Sequence, residues 1–410
     1  MTLSTDPNKL EYRWVSKIDE IKKKDWEDCF AGCNILQSYD FAKAVEHSRL
    51  EQIDHCYLVA YTQEKVAAII PCFLYRVSIT VVSGPFMQKI VNSLRKINKN
   101  LLYFNTFIAG SPTAICTHLL GIPGLGQDRF AGEILKKCDE QVKIKAKELK
   151  CKLIILKEIP HPLNQTVEEF LDSRYVFTYS LPTTYISLAV DSQNPVPYMK
   201  RLRKKYRVLM KKRQKIFTDA GLTWEICQNA TPYASQFEKL YLQVLEHSAH
   251  KFEKLSADFF VKVLDYLGDD AFIMVCKRDE QIVAFELVLK EEAHLHPIYL
   301  GMDYQLKDEA EVYFNCVYRI LEEGEKRKCS VVQLGQTSYE AKSSMGAVPN
   351  QLFVGLYHSN KFLNWCIGKL AHVLFPTTTY PERKVFKESY PNLEILEEHG
   401  VPFDITEGRR

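Results

Sequence analysis

The order of predicted secondary structure repeats once along this chain, and no other feature limits its fold as strongly. The segments 55–77 and 271–292 each alternate into a strand, turn at a polar tip and return, as antiparallel hairpins do. In each half a strand and helices precede the hairpin, and a strand, a helix and a last strand follow it. One hairpin can recur by chance, but recurrence of the whole order about 200 residues later indicates two copies of one domain.

A long amphipathic helix leads into an apolar strand near the end of each copy. In segment 130–159 apolar residues recur at helical spacing before the strand LIILKEI, and in segment 313–336 they do so before SVVQLG. Helices alternating with hairpins in this order predict an α/β (α+β) fold with mixed sheets. We predict an N-terminal domain over residues 1–183, a C-terminal domain over 184–375 and a C-terminal tail over 376–410.

Composition is compatible with two globular domains. The chain has 410 residues, long enough for two hydrophobic cores, and 46% of them are apolar. The formal net charge of +3 argues against coating by nucleic acid and leaves local patches as candidate footprints. The twelve cysteines show no CxxC pair, as expected of reduced thiols in a cytosolic protein. Because we find neither a secretory signal nor an apolar run of about 18 residues, we expect a cytoplasmic protein without a membrane span.

Three stretches of the sequence carry a resemblance to a known family. They read WEDCFAGCNILQSYDFAKAVEHS, YMKRLRKKYRVLMKKRQK and LGQTSYEAKSSMGAVPNQLFVGLYH. In this order they resemble FemAB-like proteins, a branch of the GNAT acyltransferase superfamily with two tandem GNAT-like domains. The resemblance covers roughly residues 10–375.

The resemblance implies an N-acyltransferase. It would transfer an acyl or aminoacyl group to an amine-bearing small molecule or peptide. The donor would be a co-substrate, namely acyl-CoA, acyl carrier protein or aminoacyl-tRNA, and no cofactor would be bound permanently. The fold would open a V-shaped gap between two central strands, where backbone groups hold the donor carbonyl and positioning supplies most of the catalysis.

Four side chains of the C-terminal domain are candidates for the chemistry. The resemblance places Lys342 near the transferred carbonyl, where its cation would stabilise the oxyanion, unless it is an exposed loop lysine. Tyr339 either donates to the oxyanion or leaving thiolate, or packs at a strand end. Glu286 interrupts the apolar run VAFELVL and is a candidate general base, unless strand alternation points it at water. His296 is a second candidate base, or a structural histidine.

Metal and phosphate sites receive little support from the sequence. The histidine pairs His294 with His296 and His247 with His250 have no acidic or cysteine partner at ligand spacing, so we expect no metal site. The loop DYQLKDEAEVYFN stands where related enzymes carry a glycine-rich phosphate loop, but it has four acids and no glycine, which disfavours coenzyme A in its usual pose. The glycine-rich segment GIPGLGQDRFAG (121–132) forms either a phosphate nest or a plain turn.

The most basic part of the chain is KRLRKKYRVLMKKRQK, residues 200–215, which contains ten Lys and Arg and no acid. Pro195 and Pro197 allow a helix to begin near Tyr198. One stripe of that helix is mostly apolar and is expected to dock on the protein, and it consists of Leu202, Tyr206, Leu209, Arg213 and Phe217.

The cations of this helix cover its remaining faces and repel one another. We assign donor binding to Arg203, Lys204, Arg207 and Lys211. Three partners remain open: acids elsewhere in the fold, a phosphorylated acceptor or carrier, and RNA. Transfer RNA and an acidic acyl carrier protein are specific cases. The alternative to an enzyme is a non-catalytic GNAT-fold module that holds RNA or another anionic partner through the basic helix 199–215.

Overall fold

The computed structural model describes residues 9–63, 65–78, 103–188, 196–248 and 253–387, together with Lys89, Val91, Ser93 and Lys96. Its contacts divide the chain into two compact units. The first comprises residues 1–180 and 352–377, and the second comprises residues 181–351 and 378–410. Within the described ranges, no helix combines the length and the apolar character needed to cross a bilayer.

Strands and helices are numbered in chain order. The strands are β1 (Glu11–Val15), β2 (Asp54–Thr62), β3 (Lys65–Ser78), β4 (Tyr103–Ala109), β5 (Leu153–Pro160), β6 (Val176–Tyr179), β7 (Thr183–Ser187), β8 (Leu222–Cys227), β9 (Ala271–Arg278), β10 (Gln281–Lys290), β11 (His294–Met302), β12 (Val331–Gly335), β13 (Val348–Asn350) and β14 (Leu352–His358). The helices are α1 (Lys23–Cys29), α2 (Tyr39–His47), α3 (Arg129–Glu148), α4 (Leu163–Phe170), α5 (Tyr198–Arg201), α6 (Lys204–Asp219), α7 (Ala234–His247), α8 (Ala257–Leu267), α9 (Leu306–Glu309), α10 (Val312–Lys326), α11 (Tyr339–Ser344) and α12 (Lys361–Leu374).

The two sheets have the same architecture. The first runs β1-β2-β3-β4-β5-β14-β6 and the second runs β8-β9-β10-β11-β12-β7-β13. In each order as written, the first five strands come from one half of the chain. The sixth strand, β14 in the first sheet and β7 in the second, comes from the other half. The predicted duplication and the mixed α/β class are therefore confirmed, and both predicted hairpins are present as β2–β3 and β9–β10.

Exchange of the sixth strand changes which residues belong to each unit. We predicted residues 184–375 as one domain, but β14 lies between β5 and β6 of the first sheet. All seven residues of β14 are buried, so its apolar run LFVGLYH is that of a central strand. A strand with such an apolar run needs a neighbouring strand at each edge and a covering layer on each face. Its sequence does not specify which sheet provides them. Residues of the predicted tail likewise join the second unit, where the N–H of Arg203 donates to the carbonyl of Val385 at 3.0 Å.

Different helices cover the two faces of the second sheet. Helix α10 packs on one face, where Val317 and Leu321 share a core with Leu295 and Val332. Helices α7 and α8 cover the opposite face, where the ring of Phe285 lies against aromatic rings from both helices. Residues that alternate along β10, β11 and β12 therefore face either α10 or the α7–α8 layer.

The basic segment is interrupted and does not form one helix from Tyr198. Leu202 has extended backbone angles and forms a β-bridge with Phe386, so α5 ends before it and α6 begins at Lys204. Because a new helix begins after this break, the residues that face the protein differ from those of one continuous helix. Leu202, Met210 and Phe217 are buried, whereas Leu209, which we predicted in the docking stripe, is only partly buried.

Candidate functional site

The two parallel strands at the centre of the second sheet separate after a short contact. Strands β11 and β12 pair through His294–Leu295 against Val331–Val332, although β11 continues to Met302. Pro297 has no N–H to donate, and Ile298 has no counterpart on β10, which makes a β-bulge. Bulges bend the strand that carries them and occur next to active sites. The strands thus open a gap of the kind that the family resemblance implies.

The corresponding place in the first unit is covered by the chain itself. Strands β4 and β5 stay paired over four residue pairs. Beyond them, the buried carboxylate of Glu158 accepts the N–H groups of Ile115 and Cys116, each at 3.2 Å. The Lys157 ammonium donates to the carbonyl of Thr113 at 2.7 Å. Both side chains of β5 therefore hold the loop that follows β4, and the candidate site lies in the second unit.

Glu286 is a buried carboxyl beside the diverging part of β11. It lies on β10 opposite Leu300, five residues beyond the last pairing of β11 with β12. Its side chain is buried rather than turned to water, and Oε2 has no hydrogen-bond partner among the described residues. Burial raises the pKa of Glu286 to about 8, and the positive charge of Lys342 partly offsets that rise. At neutral pH this carboxyl is therefore mostly protonated.

Lys342 is buried on α11 and is not an exposed loop lysine. Its Nζ donates to the carbonyl oxygens of Gly335 at 3.1 Å and of Gln336 at 2.6 Å. These carbonyls belong to a turn in which Gly335, Thr337 and Ser338 all have positive φ angles, of 69°, 63° and 52°. For threonine this region is strained, and such strain concentrates at functional sites. The ammonium thus holds a strained turn at the end of β12.

Three tyrosines belong to the same region of the second unit as Glu286 and Lys342. Tyr313, in the first turn of α10, shares a hydrogen bond with Ser338 and is close enough to Glu286 for the two groups to interact electrostatically. The hydroxyl of Tyr339 donates to the carbonyl of Pro182 at 2.9 Å. Tyr380 packs edge-on against Tyr339, with ring centroids 5.8 Å apart. The sequence analysis missed Tyr313 and Tyr380, because no local pattern marks either one.

His296 lies on the other face of the sheet. Its neighbour Leu295 packs under α10, so alternation along β11 turns His296 toward the α7–α8 layer. The ring is buried, with Nε2 at 2.7 Å from Oε1 of Glu291 and Nδ1 at 2.5 Å from Oε1 of Gln333. The structure therefore does not bring His296 to Glu286 and Lys342, and its contacts are those of a structural histidine.

Clusters suited to a metal ion are absent from the described ranges. No group of three or more His, Cys, Asp or Glu side chains there could hold one. The rings of His294 and His296 lie 6.0 Å apart, and His250 lies outside the described residues. The twelve cysteines are free thiols, and ten of them are buried.

Acidic side chains of the protein itself occupy the two helix starts considered for phosphate. In the glycine-rich segment 121–132, the Asp128 carboxylate accepts the N–H of Phe130 at 2.9 Å and caps α3, so this segment is a strand-to-helix turn. At the start of α10 the N-cap residue is Glu311. Its carboxylate lies 3.2 Å from Nε of Arg213. An acid at a helix N-terminus opposes the binding of a second anion.

Helix α6 carries a lysine-rich face without acidic partners. No ion pair within the described ranges involves its five exposed lysines, which are Lys204, Lys205, Lys211, Lys212 and Lys215. The two arginines that we assigned to donor binding donate hydrogen bonds to backbone carbonyls. Nε of Arg203 donates to the carbonyl of Phe386 at 2.8 Å, and Arg207 donates to the carbonyl of Leu202 at 3.3 Å.

One ion pair links the basic helix to the candidate site. Arg213 pairs with Glu311 and lies over the ring of Phe314, 3.3 Å from its centroid. Both partners stand in the first turn of α10 or directly before it, and Tyr313 of the same turn interacts with Glu286. The C-terminal part of α6 therefore borders the end of α10 that reaches the buried carboxyl.

Comparisons with known proteins were made for sequence and for fold. Residues 203–343 match the family described as acetyltransferase (GNAT) domain. FemX has a TM-score of 0.51 at 10% identity, with 87% of this chain and 100% of that chain covered. L-PGS from Bacillus licheniformis has a TM-score of 0.49 at 13% identity, with 88% and 98% covered. A tandem GNAT protein from the clavulanic acid biosynthesis pathway has a TM-score of 0.49 at 10% identity, with 86% and 99% covered. No curated protein sequence matches this chain.

These findings define the class of the second unit. The family match runs from the start of α6 into α11 and includes both Glu286 and Lys342. The second unit thus contains a segment, residues 203–343, that is similar to the acetyltransferase (GNAT) domain. Over most of its length the chain has a fold similar to that of FemX, and the predicted resemblance to FemAB-like proteins is confirmed at the level of the fold.

Proposed function

We propose that the second unit transfers an acyl or aminoacyl group from an anionic carrier to an amine, in the gap between β11 and β12. One observation carries this proposal. Two buried groups that form opposite charges, the Glu286 carboxyl and the Lys342 ammonium, interact electrostatically beside the place where the central strands part. Burial of such groups is costly unless they are paired or used, and perturbed pairs of this kind concentrate at active sites.

Each side chain has a defined role in this reaction. The Lys342 cation stabilises the negative charge that develops on the donor carbonyl oxygen during attack by the amine. An alkyl amine reaches the site mostly as an ammonium ion, because its pKa is about 10. Glu286 in its ionised form takes a proton from that amine, and its pKa of about 8 makes it a base of suitable strength. Tyr339 remains a candidate donor to the leaving group.

The charge distribution favours a macromolecular donor over coenzyme A in the usual pose. The start of α10, where related enzymes bind pyrophosphate, carries Glu311. The exposed lysines Lys211, Lys212 and Lys215 lie on the same helix as Arg213. Arg213 contacts the residue that precedes α10. Transfer RNA and acyl carrier protein both present several negative charges to such a face, and binding of either would depend steeply on salt.

The test compares three labelled donors, which are acetyl-CoA, acyl carrier protein loaded with an acyl group, and aminoacyl-tRNA. Each is mixed with a panel of primary amines containing ethanolamine, glucosamine, amino acids and short peptides. Glu286→Gln and Lys342→Met are expected to lower transfer by about 100-fold or more while circular dichroism stays unchanged. Lys326→Met, at a lysine with 57% side-chain exposure, serves as the matched control and is expected to keep full activity. The proposal fails if none of the donors is consumed, or if both site variants keep the wild-type rate.

A second candidate function rests on the lysine-rich face alone. A non-catalytic module would hold RNA or another polyanion on α6 without turnover. Charge reversal at Lys204, Lys211 and Lys215 is expected to remove binding of transfer RNA, whereas reversal at the exposed Lys136 and Lys147 of α3 leaves it unchanged. Binding that is lost in the first variant, combined with no turnover of any donor by the wild type, would favour this module over the enzyme.

A further inference from the structure

Helix α12 concentrates the exposed apolar surface of this protein. Eight large apolar side chains are exposed in the described ranges, and five of them lie on these 14 residues. They are Phe362 (68% exposed), Leu363 (41%), Trp365 (58%), Leu370 (50%) and Val373 (40%). Single exposed apolar residues are ordinary, but a contiguous group indicates a contact surface.

These five side chains share one side of α12 and form the α12 face. Phe362 and Val373 are eleven residues apart, about three helical turns, so they project in nearly the same direction. The rings of Phe362 and Trp365 stack with centroids 6.1 Å apart. On the side that faces the sheet, Ile367 and Leu374 belong to a buried core that α12 forms with β5 and β14. A helix that is apolar on both sides is ordinarily covered on both sides.

The chain segment that forms the α12 face carries charges of one sign. Residues 352–381 contain no aspartate or glutamate. Helix α12 carries Lys361 at its start and Lys369 in its middle, and both are exposed. At 100° per residue, Lys369 falls about 20° from Phe362, within the apolar side. A third lysine, Lys152, adjoins the start of α12, since its carbonyl accepts the N–H of Ser359 at 2.9 Å.

We propose that the α12 face docks on the surface of a bilayer that contains anionic lipids. The apolar side chains would enter the boundary between headgroups and acyl chains, while the lysine stems extend along it and place their ammonium groups among lipid phosphates. A helix of 14 residues is about 21 Å long, which suits a position in the interface and is too short to span the bilayer.

Charge favours this occupant over a second copy of the chain. Symmetric packing of two α12 faces would bring Lys369 of each copy into or beside the same apolar contact. No acid between residues 352 and 381 could pair with either ammonium. Anionic lipid headgroups supply the missing negative charges, and each lysine near the surface adds to the attraction.

Co-sedimentation with lipid vesicles tests the proposal on the full-length protein. The wild type is expected to bind vesicles of phosphatidylcholine with one quarter phosphatidylglycerol, and to bind pure phosphatidylcholine at least about tenfold more weakly. Phe362→Ser with Trp365→Ser is expected to lower the partition coefficient on anionic vesicles by at least about tenfold. Val208→Ser, at a residue of α6 with 58% exposure, is the matched control and is expected to bind like the wild type.

Several outcomes would overturn the proposal. One is absence of wild-type binding to anionic vesicles, and another is equal loss of binding in the Val208→Ser control. A third is binding that survives the double serine change but is lost on charge reversal of Lys204, Lys211 and Lys215, which would place the contact on α6. A dimer in sedimentation equilibrium that the double serine change dissociates would make a second copy the occupant.

Discussion

The ammonium of Lys342 lowers the pKa of the Glu286 carboxyl against the larger effect of burial, which raises it to about 8. The two residues are 56 positions apart and come from α11 and β10. A carboxyl with this pKa is mostly protonated at neutral pH and ionises about one pH unit higher, so a small change in its surroundings alters which form is present.

Removal of the Lys342 charge is expected to move the pH dependence of transfer. In the wild type, activity rises with pH through about 8 as Glu286 loses its proton. In Lys342→Met burial acts without that offset, so the rise is expected at higher pH in addition to a lower maximum. Profiles of kcat/KM against pH for the wild type and the variant measure this shift. Lys342→Arg, which keeps the charge, is the control, and an identical midpoint in all three proteins would contradict the prediction.

Glu286 is also expected to make stability depend on pH. The unfolded chain loses this proton near the ordinary pKa of 4.5, whereas the folded protein keeps it until about 8. Between these values the unfolded state binds fewer protons, so the free energy of unfolding falls as pH rises, by up to about 5 kcal/mol. Glu286→Gln is expected to remove this fall and to be more stable than the wild type at pH 9.

Thermal unfolding at pH 5 and pH 9 checks that expectation. Glu280→Gln, at the exposed turn between β9 and β10, is the matched control and is expected to follow the wild type at both values. If the wild type and Glu286→Gln lose the same stability between pH 5 and pH 9, the carboxyl does not carry its proton into the neutral range.

His296→Ala is expected to reduce stability and to leave the chemistry nearly unchanged. The change removes the hydrogen-bond partner of Glu291, which follows β10, and of Gln333 on β12. Loss of buried hydrogen-bond partners costs about 1–3 kcal/mol. Urea unfolding measures that cost, and the transfer rate per folded molecule should stay within about threefold of the wild type. A drop of 100-fold in rate at unchanged stability would return His296 to the list of catalytic candidates.

Gly301 is expected to tolerate no side chain. A Cβ at this position would lie 2.2 Å from Cε1 of Phe285 and 2.8 Å from the backbone nitrogen of Tyr241. Gly301→Ala therefore forces α7 away from β11 and should cost about 1–3 kcal/mol in urea unfolding. Gly368→Ala is a control of opposite sign. Its Cβ would make an ordinary contact at 3.5 Å with Val176, and alanine stabilises a helix interior by up to about 1 kcal/mol. Equal effects of the two changes would contradict the packing described here.

Local pattern was enough to predict most elements of the fold. Clear periodicity marks both hairpins, the helices α3 and α10 and the strands that follow them. Each of these elements buries one face against elements that are close to it in the sequence. Glu286 was recognisable as a candidate because a carboxyl interrupts an apolar strand. The resemblance, and not the pattern, singled out Lys342.

Other features of the site required the fold. Tyr313 on α10 interacts with Glu286, and Tyr380, in the segment after α12, interacts with Tyr313 and Tyr339; neither stands in a distinctive local pattern. His296 was predicted in the cleft from its place at a strand start, but the face of a strand depends on what packs against it. The alternation is visible in the sequence, whereas the identity of each covering layer is not.

The sequence by itself determined that two similar α/β domains form, where most strands and helices lie, and that one helix is unusually basic. Tertiary structure decided that β7 and β14 exchange sheets, that β11 leaves β12 beyond a bulge, and that a carboxyl and an ammonium share one buried place. The physical reason is that periodicity depends on neighbours close in the chain. Strand partners, burial and the resulting pKa depend on groups that are distant in sequence and meet only after folding.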